Sequence, residues 1–137
     1  MKCFFALFLV LAVFVSLPAA GQDVVINEIM YNTPSANPAE EWIELYNRGT
    51  NAANLAGWRI SDGVSYAFPN VTIPAGGYLV VAADVSAFQI LYPGIANVVG
   101  GWLGTLSNNG EGVDVEDAGG QRIDRVRYAR IDRKSVV

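Results

Sequence analysis

Beyond residue 21 the apolar runs of this chain are short, rich in β-branched and aromatic residues, and bounded by Gly, Pro, Asn and Asp. That punctuation belongs to strands rather than helices. The clearest case is Glu40 to Gly63, EEWIELYNRGTNAANLAGWRISDG. It reads as two strands, WIELYN and GWRIS, joined by a polar loop and closed by a turn at Asp62-Gly63. Strict alternation puts Ile43 and Leu45 on one face and Trp42, Glu44 and Tyr46 on the other. In the second strand Trp58 and Ile60 share a face, opposite Arg59 and Ser61.

The same reading extends along the chain. Val24 to Tyr31 is a strand of mixed alternation, with Asn27 and Glu28 among apolar neighbours. Asn32 to Ala39 carries two prolines and is a loop. Tyr66 and Phe68 belong to a short strand, and Tyr78 to Ala82 to another. Between them Pro74-Ala75-Gly76 fits a type I turn, with Pro second and Gly fourth. Asp84 is a suitable N-cap for the one helical signal, in which Phe88 is spaced from Leu91 and Tyr92 as on one helix face. Pro93-Gly94 stops it after about two turns. Asn97 to Thr105 gives no clear signal. Ser107 to Gly110 is a turn, and Val113 to Asp117 and Ile123 to Tyr128 form a hairpin around Ala118-Gly119-Gly120. Many short strands, regular turns and one small helix define an all-β, antiparallel β-sandwich with one short helix.

The chain's 137 residues suit one domain. Its start is a different kind of segment. Lys2, the apolar run FFALFLVLAVFV and the small residues of SLPAAGQ have the order of a secretory signal peptide. The run is short for a membrane span, which needs roughly 20 residues. Residues 1–21 are therefore expected to be a leader cleaved before Gln22, with an uncleaved anchor as the alternative. Only an uncleaved leader would hold the protein to a membrane. A secreted location follows, whether extracellular, cell-surface or periplasmic. Residues 22–129 are the expected domain and 130–137 a tail or truncated linker.

The one cysteine, Cys3, lies in that leader, so the rest of the chain has no thiol or disulfide. There is no histidine, which removes the usual general base, the commonest zinc ligand and every Ser-His or Cys-His pair. Without Lys2, eight basic residues face thirteen acidic ones, a net charge of −5. That balance disfavours nucleic acid, where phosphate contacts dominate affinity. Six of the basic residues cluster at the end: Arg122, Arg125, Arg127, Arg130, Arg133 and Lys134, interrupted by Asp124 and Asp132. Two readings stand: a solvated edge strand and tail, or a docking strip for an acidic partner such as a polyanionic glycan or lipid headgroup.

Glu28, Glu41 and Glu44, with Asn27 and Asn47, form the best polar cluster. Close carboxylates hold Ca²⁺ or cleave glycosides. The structural alternative has Glu41 accept backbone N–H groups of a loop and Asn47 pin a turn. No cofactor is expected otherwise. Asp114 and Glu116 fall opposite the inward Val113 and Val115; with Glu111 and Asp117 they read as a solvated acidic hairpin. Trp42 and Tyr46, away from the Ile43/Leu45 face, either pack under a loop or form a platform for sugars or nucleobases. Asn70-Val71-Thr72 fits a glycosylation sequon, which strand geometry also explains.

Six blocks carry a resemblance: INEIMY from Ile26, EWIELYNRG from Glu41, LAGWRISD from Leu55, FPNVTIPAGGYLVV from Phe68, LSNNGEGVDVEDAGG from Leu106 and RIDRVRY from Arg122. In this order, from about Val24 to Tyr128, they resemble the lamin-tail domain, and more closely its bacterial secreted form. The resemblance implies an immunoglobulin-like β-sandwich. It also implies an accessory module rather than an enzyme. In nuclear lamins the domain is a protein and nucleic-acid interaction surface; in bacteria it sits in exported, often multidomain proteins beside hydrolases, nucleases or cell-surface modules. The expected function is thus an exported, non-catalytic interaction or anchoring module whose partner is a protein or cell-surface polymer. The alternatives are a Ca²⁺-stabilised adhesion or glycan-binding module and a small carboxylate-dependent hydrolase. The residues give no signal of oligomeric state.

Overall fold

The computed structural model describes residues 23–129. The expected leader and the tail lie outside these residues. The described residues form ten strands, one α-helix and a single 3-10 turn at Pro38–Glu40. Strands β1 (Val24–Met30), β2 (Trp42–Asn47), β7 (Tyr78–Ala82) and β8 (Val98–Gly100) form one sheet, in the order β1-β2-β7-β8. Strands β4 (Arg59–Ser61), β5 (Tyr66–Ala67), β9 (Gly110–Glu116) and β10 (Arg122–Ala129) form a second, in the order β10-β9-β4-β5. A small ribbon pairs β3 (Ala53–Asn54) with β6 (Thr72–Ile73). The result is the expected immunoglobulin-like sandwich.

The core follows from strand alternation. Val24, Ile43, Leu45 and Val81 from the first sheet, with Ile60, Val113 and Val115 from the second, are buried in one cluster, and Trp58 and Trp102 join it. Large apolar side chains of this kind stabilise a fold by about 1.5–3 kcal/mol each on full burial. The uneven pattern of β1 has a local cause: its pairing with β2 slips between Ile26 and Glu28. This irregularity leaves Asn27 and Glu28 both exposed while Ile26 stays inside.

Three features depart from the sequence reading. The turn before β7 runs from Pro74 to Gly77, closed by Gly77 N–H donating to the Pro74 carbonyl at 2.9 Å. Gly76 is its third residue, at φ 66°, the left-handed conformation that a type II turn demands at that position. The silent stretch after Pro93 contains β8, which pairs with β7 in parallel rather than antiparallel. Helix α1 (Val85–Leu91) supplies the crossover that a parallel pair needs. As expected, Asp84 caps this helix, accepting from Ala87 N–H at 2.9 Å. Finally, α1 closes a second cluster on the outer face of the first sheet, where Phe88 packs with Trp42, Val80 and Ala82.

The first and last strands are joined directly. Ile26 N–H donates to Asp124 Oδ2 at 2.8 Å. Further along, the Tyr31 and Tyr128 rings stack with centroids 4.4 Å apart.

Candidate functional site

Glu41 lies directly before β2 and is buried. Its Oε2 accepts Leu106 N–H at 2.9 Å, tying the first sheet to the loop before β9. Burial pushes the carboxyl above its ordinary value, the Leu106 bond opposes that, and the Glu111 charge adds to it. Glu28 is exposed and lies across from Glu44 in the β1–β2 ladder. Glu44 accepts Asn27 Nδ2–H at 2.7 Å on the outer face. The three glutamates therefore divide between the two faces of one sheet. Among the described residues no group of three or more Asp, Glu, His or Cys is placed to hold a metal ion.

Asn47 has the turn-pinning role expected of it. Its Nδ2 donates to the carbonyls of Asn51, Ile73 and Pro74 at 2.8, 3.0 and 3.2 Å, and its Oδ1 accepts Gly49 N–H at 3.0 Å. One buried amide thus fixes the loop after β2 to the turn before β7. A network near Glu41 went unseen in the sequence. Glu111 Oε1 accepts from Ser107 N–H at 2.6 Å and from the Tyr128 hydroxyl at 2.9 Å. Burial, then the Glu111 bond and charge, push the Tyr128 hydroxyl well above the usual tyrosine range. Nothing in the local pattern brings residues this far apart together; only the β9–β10 register, Tyr128 opposite Glu111, does so.

The proposed aromatic platform is half removed. Trp42 is 8% exposed, so it is a core residue and not an interaction surface. Its ring meets Phe88 and Tyr92 edge-on, each at 6.2 Å. Alternation placed it on the outer face correctly, but α1 folds over that part of the sheet. Tyr46 remains partly accessible and stacks on Tyr78 with centroids 4.6 Å apart. Tyr78 is 44% exposed. Its place beside Tyr46 was legible only through register, since the two lie opposite across β2 and β7.

Two of the three described arginines of the strip, Arg122 and Arg125, are engaged within the fold; Arg130, Arg133 and Lys134 lie outside the described residues. Asp114 is buried rather than solvated. Arg122 Nε donates to its Oδ2 at 2.8 Å. Arg125 Nε lies 2.7 Å from Oδ1, but without hydrogen-bond alignment, so that contact is ionic. Arg125 also reaches Asp62 at 3.2 Å. Beside them Glu116 accepts from Ser61 Oγ at 2.6 Å and from Arg59; these two partners hold its carboxyl below the ordinary range. Arg122 and Arg125 are therefore parts of a cross-strand charge network. Arg127 is exposed and, among the described residues, forms no ion pair within 4.0 Å.

These features define a class: an immunoglobulin-like sandwich whose conspicuous acids and amides hold loops in place. A family model described as Lamin Tail Domain matches residues 18–130. The chain belongs to the lamin tail domain family, a family of immunoglobulin-like, generally non-catalytic interaction modules. A comparison with curated proteins returns no match.

Proposed function

We propose that this chain is an exported interaction module that anchors or orients a neighbouring catalytic or cell-surface domain, with no chemistry of its own. The observation that carries this reading is the placement of Glu41. The best acid–base candidate in the sequence is buried, bonded to the Leu106 backbone and on the opposite face from Glu44. Such a carboxylate positions a loop. The order of residues 1–21 supports export, and the partner is a protein or cell-surface polymer. The test is direct. Purified protein is assayed on glycan and nucleic-acid substrates, with and without divalent cations, and the mature N-terminus is read by mass spectrometry from the exported fraction. Absence of turnover and a start near Gln22 are expected. Turnover that disappears in Glu41→Gln overturns the reading.

A glycan-binding form of the same module is favoured by one feature, the exposed Tyr78 ring stacked on Tyr46. Aromatic faces stack on sugar rings. Titration with soluble cell-wall oligosaccharides while tyrosine fluorescence is followed distinguishes it: Tyr78→Ala should abolish the response. A calcium-stabilised form requires the melting temperature to rise with Ca²⁺ and fall with a chelator.

A further inference from the structure

At the edge of the first sheet opposite β1 lies β8, whose one strand partner among the described residues is β7; Tyr66 meets its far end at the Gly100 backbone. A cleft of about 470 Å³ opens beside it. Val71 and Thr72 line it from one side and Asn97, Val98 and Val99 from the other, with Leu79 also in its wall. The directions of the backbone groups follow from the hydrogen bonds nearby. Val80 N–H donates to the Asn97 carbonyl and Gly101 N–H to the Ala82 carbonyl, each at 3.0 Å. Alternation along the strand therefore turns the N–H and C=O of Val99 towards β7 and those of Val98 away from it. Across the cleft, Leu55 N–H donates to the Val71 carbonyl at 2.8 Å, and Asn54 lies opposite Thr72. The same alternation turns the N–H and C=O of Thr72 away from β3.

Two strand edges thus present outward backbone donors and acceptors at one cleft whose wall is largely apolar. None of the residues lining it is charged. Indeed the sequence holds no charged residue between Asp84 and Glu111, so β8 lacks the Lys or Glu that commonly guards an exposed edge. The other edges differ. The β1 and β10 edges are tied together by the Ile26–Asp124 bond, and the Ser65–Leu103 bridge adjoins β5.

We propose that the cleft between β6 and β8 accepts an uncharged, extended segment of a partner polypeptide, which adds as a strand against Val98. Backbone bonds to Val98 and Thr72 give the affinity, and alternate aliphatic side chains turn towards Leu79, Val71 and Val99. This inference rests on the interaction-module reading and names the kind of partner it serves.

The probe is a short, capped peptide alternating threonine and valine, titrated into ¹⁵N-labelled protein. Amide shifts centred on Val98 and Thr72, with slowed hydrogen exchange at Val98, are expected. A control peptide with methylated backbone nitrogens should bind about tenfold more weakly, as expected from losing one or two net hydrogen bonds. Val98→Pro removes the outward N–H without breaking a bond to β7 and should weaken the unmodified peptide by about tenfold. If that variant fails to fold, Ala96→Glu at the exposed rim tests the same site by placing a charge at its mouth. Equal binding of the methylated peptide, or no shift at Val98, overturns the proposal. So do shifts confined to Ile90, Leu91 and Ile95, which would mark the aliphatic end of α1, including its use at a lipid surface. None of these failures touches the interaction-module reading, which is decided by the turnover assay.

Discussion

Replacing Glu41 separates a structural acid from a chemical one. In Glu41→Ala the Leu106 N–H loses its acceptor at a site closed to water. An unsatisfied buried donor costs about 1–3 kcal/mol, and the emptied side-chain volume adds to it, so a loss of about 2–4 kcal/mol is expected. In Glu41→Gln the shape and an acceptor oxygen remain, and the charge facing Glu111 is gone. That variant should lie within about 1 kcal/mol of the parent at neutral pH. Urea titration at constant m-value measures both, and for a domain of this size the alanine variant should melt about 10–25 °C lower. The pH dependence supplies a second reading. The Glu41 carboxyl titrates above its ordinary value of 4.5 in the folded protein, so the folded state binds the proton more tightly than the unfolded chain. Its contribution is fully present below the unfolded value and is lost as pH rises through the folded value. The difference in stability between parent and Glu41→Gln should therefore grow to the disadvantage of the parent from about pH 4.5 upwards. Equal loss in both variants, or a pH-independent difference, would refute the assignment of Glu41 as a buried, loop-holding acid.

Three further outcomes follow from the same geometry. Asp114→Ala should destabilise by about 1–2 kcal/mol, discounted because both arginines remain solvated, and a cycle with Arg125→Ala should show coupling above about 0.5 kcal/mol; additive losses would show the pair to be incidental. Glu116 is held below its ordinary value by Ser61 first and Arg59 second, so its stabilisation is present above the unfolded value and fades as pH falls through the folded one. An NMR titration should place its midpoint low in the parent and higher in Ser61→Ala. Trp42→Ala should cost about 3–5 kcal/mol and abolish part of the near-ultraviolet circular dichroism, whereas a loss below about 0.5 kcal/mol would return Trp42 to the surface.

The sheets were readable in the sequence because their signal is local. Val113 and Val115, Ile43 and Leu45, and Trp58 with Ile60 declare their inward face through period alone, and Asp84 and Pro93 bracket α1. What alternation does not contain is the identity of the cover. Trp42 and Asp114 both point to outer faces, as read, yet one is roofed by α1 and the other is buried with the guanidinium groups of Arg122 and Arg125 on its carboxylate. The β7–β8 pairing was illegible for a related reason: Val98-Val99-Gly100 is too short for a period, and its partner is chosen by the length of the α1 crossover. Glu41 and Asn47 were the exceptions among the site residues, since an acid on an inward face at a strand start and an amide at a strand end have few uses besides holding a backbone.

The bond between Ile26 and Asp124 and the stack of Tyr31 on Tyr128 together fix a direction. Both partners advance along the chain in the same sense, so β1 and β10 run side by side and point the same way. The polypeptide enters the sandwich at one pole and leaves it at the other, about 20 Å away over the seven residues of β1. Anything joined before Val24 and anything joined after Ala129 is thereby held apart, as beads are on a cord. Tension applied to the two ends would load the seam between first and last strands in shear, with the Asp124 bond and the tyrosine stack resisting together rather than unzipping one at a time.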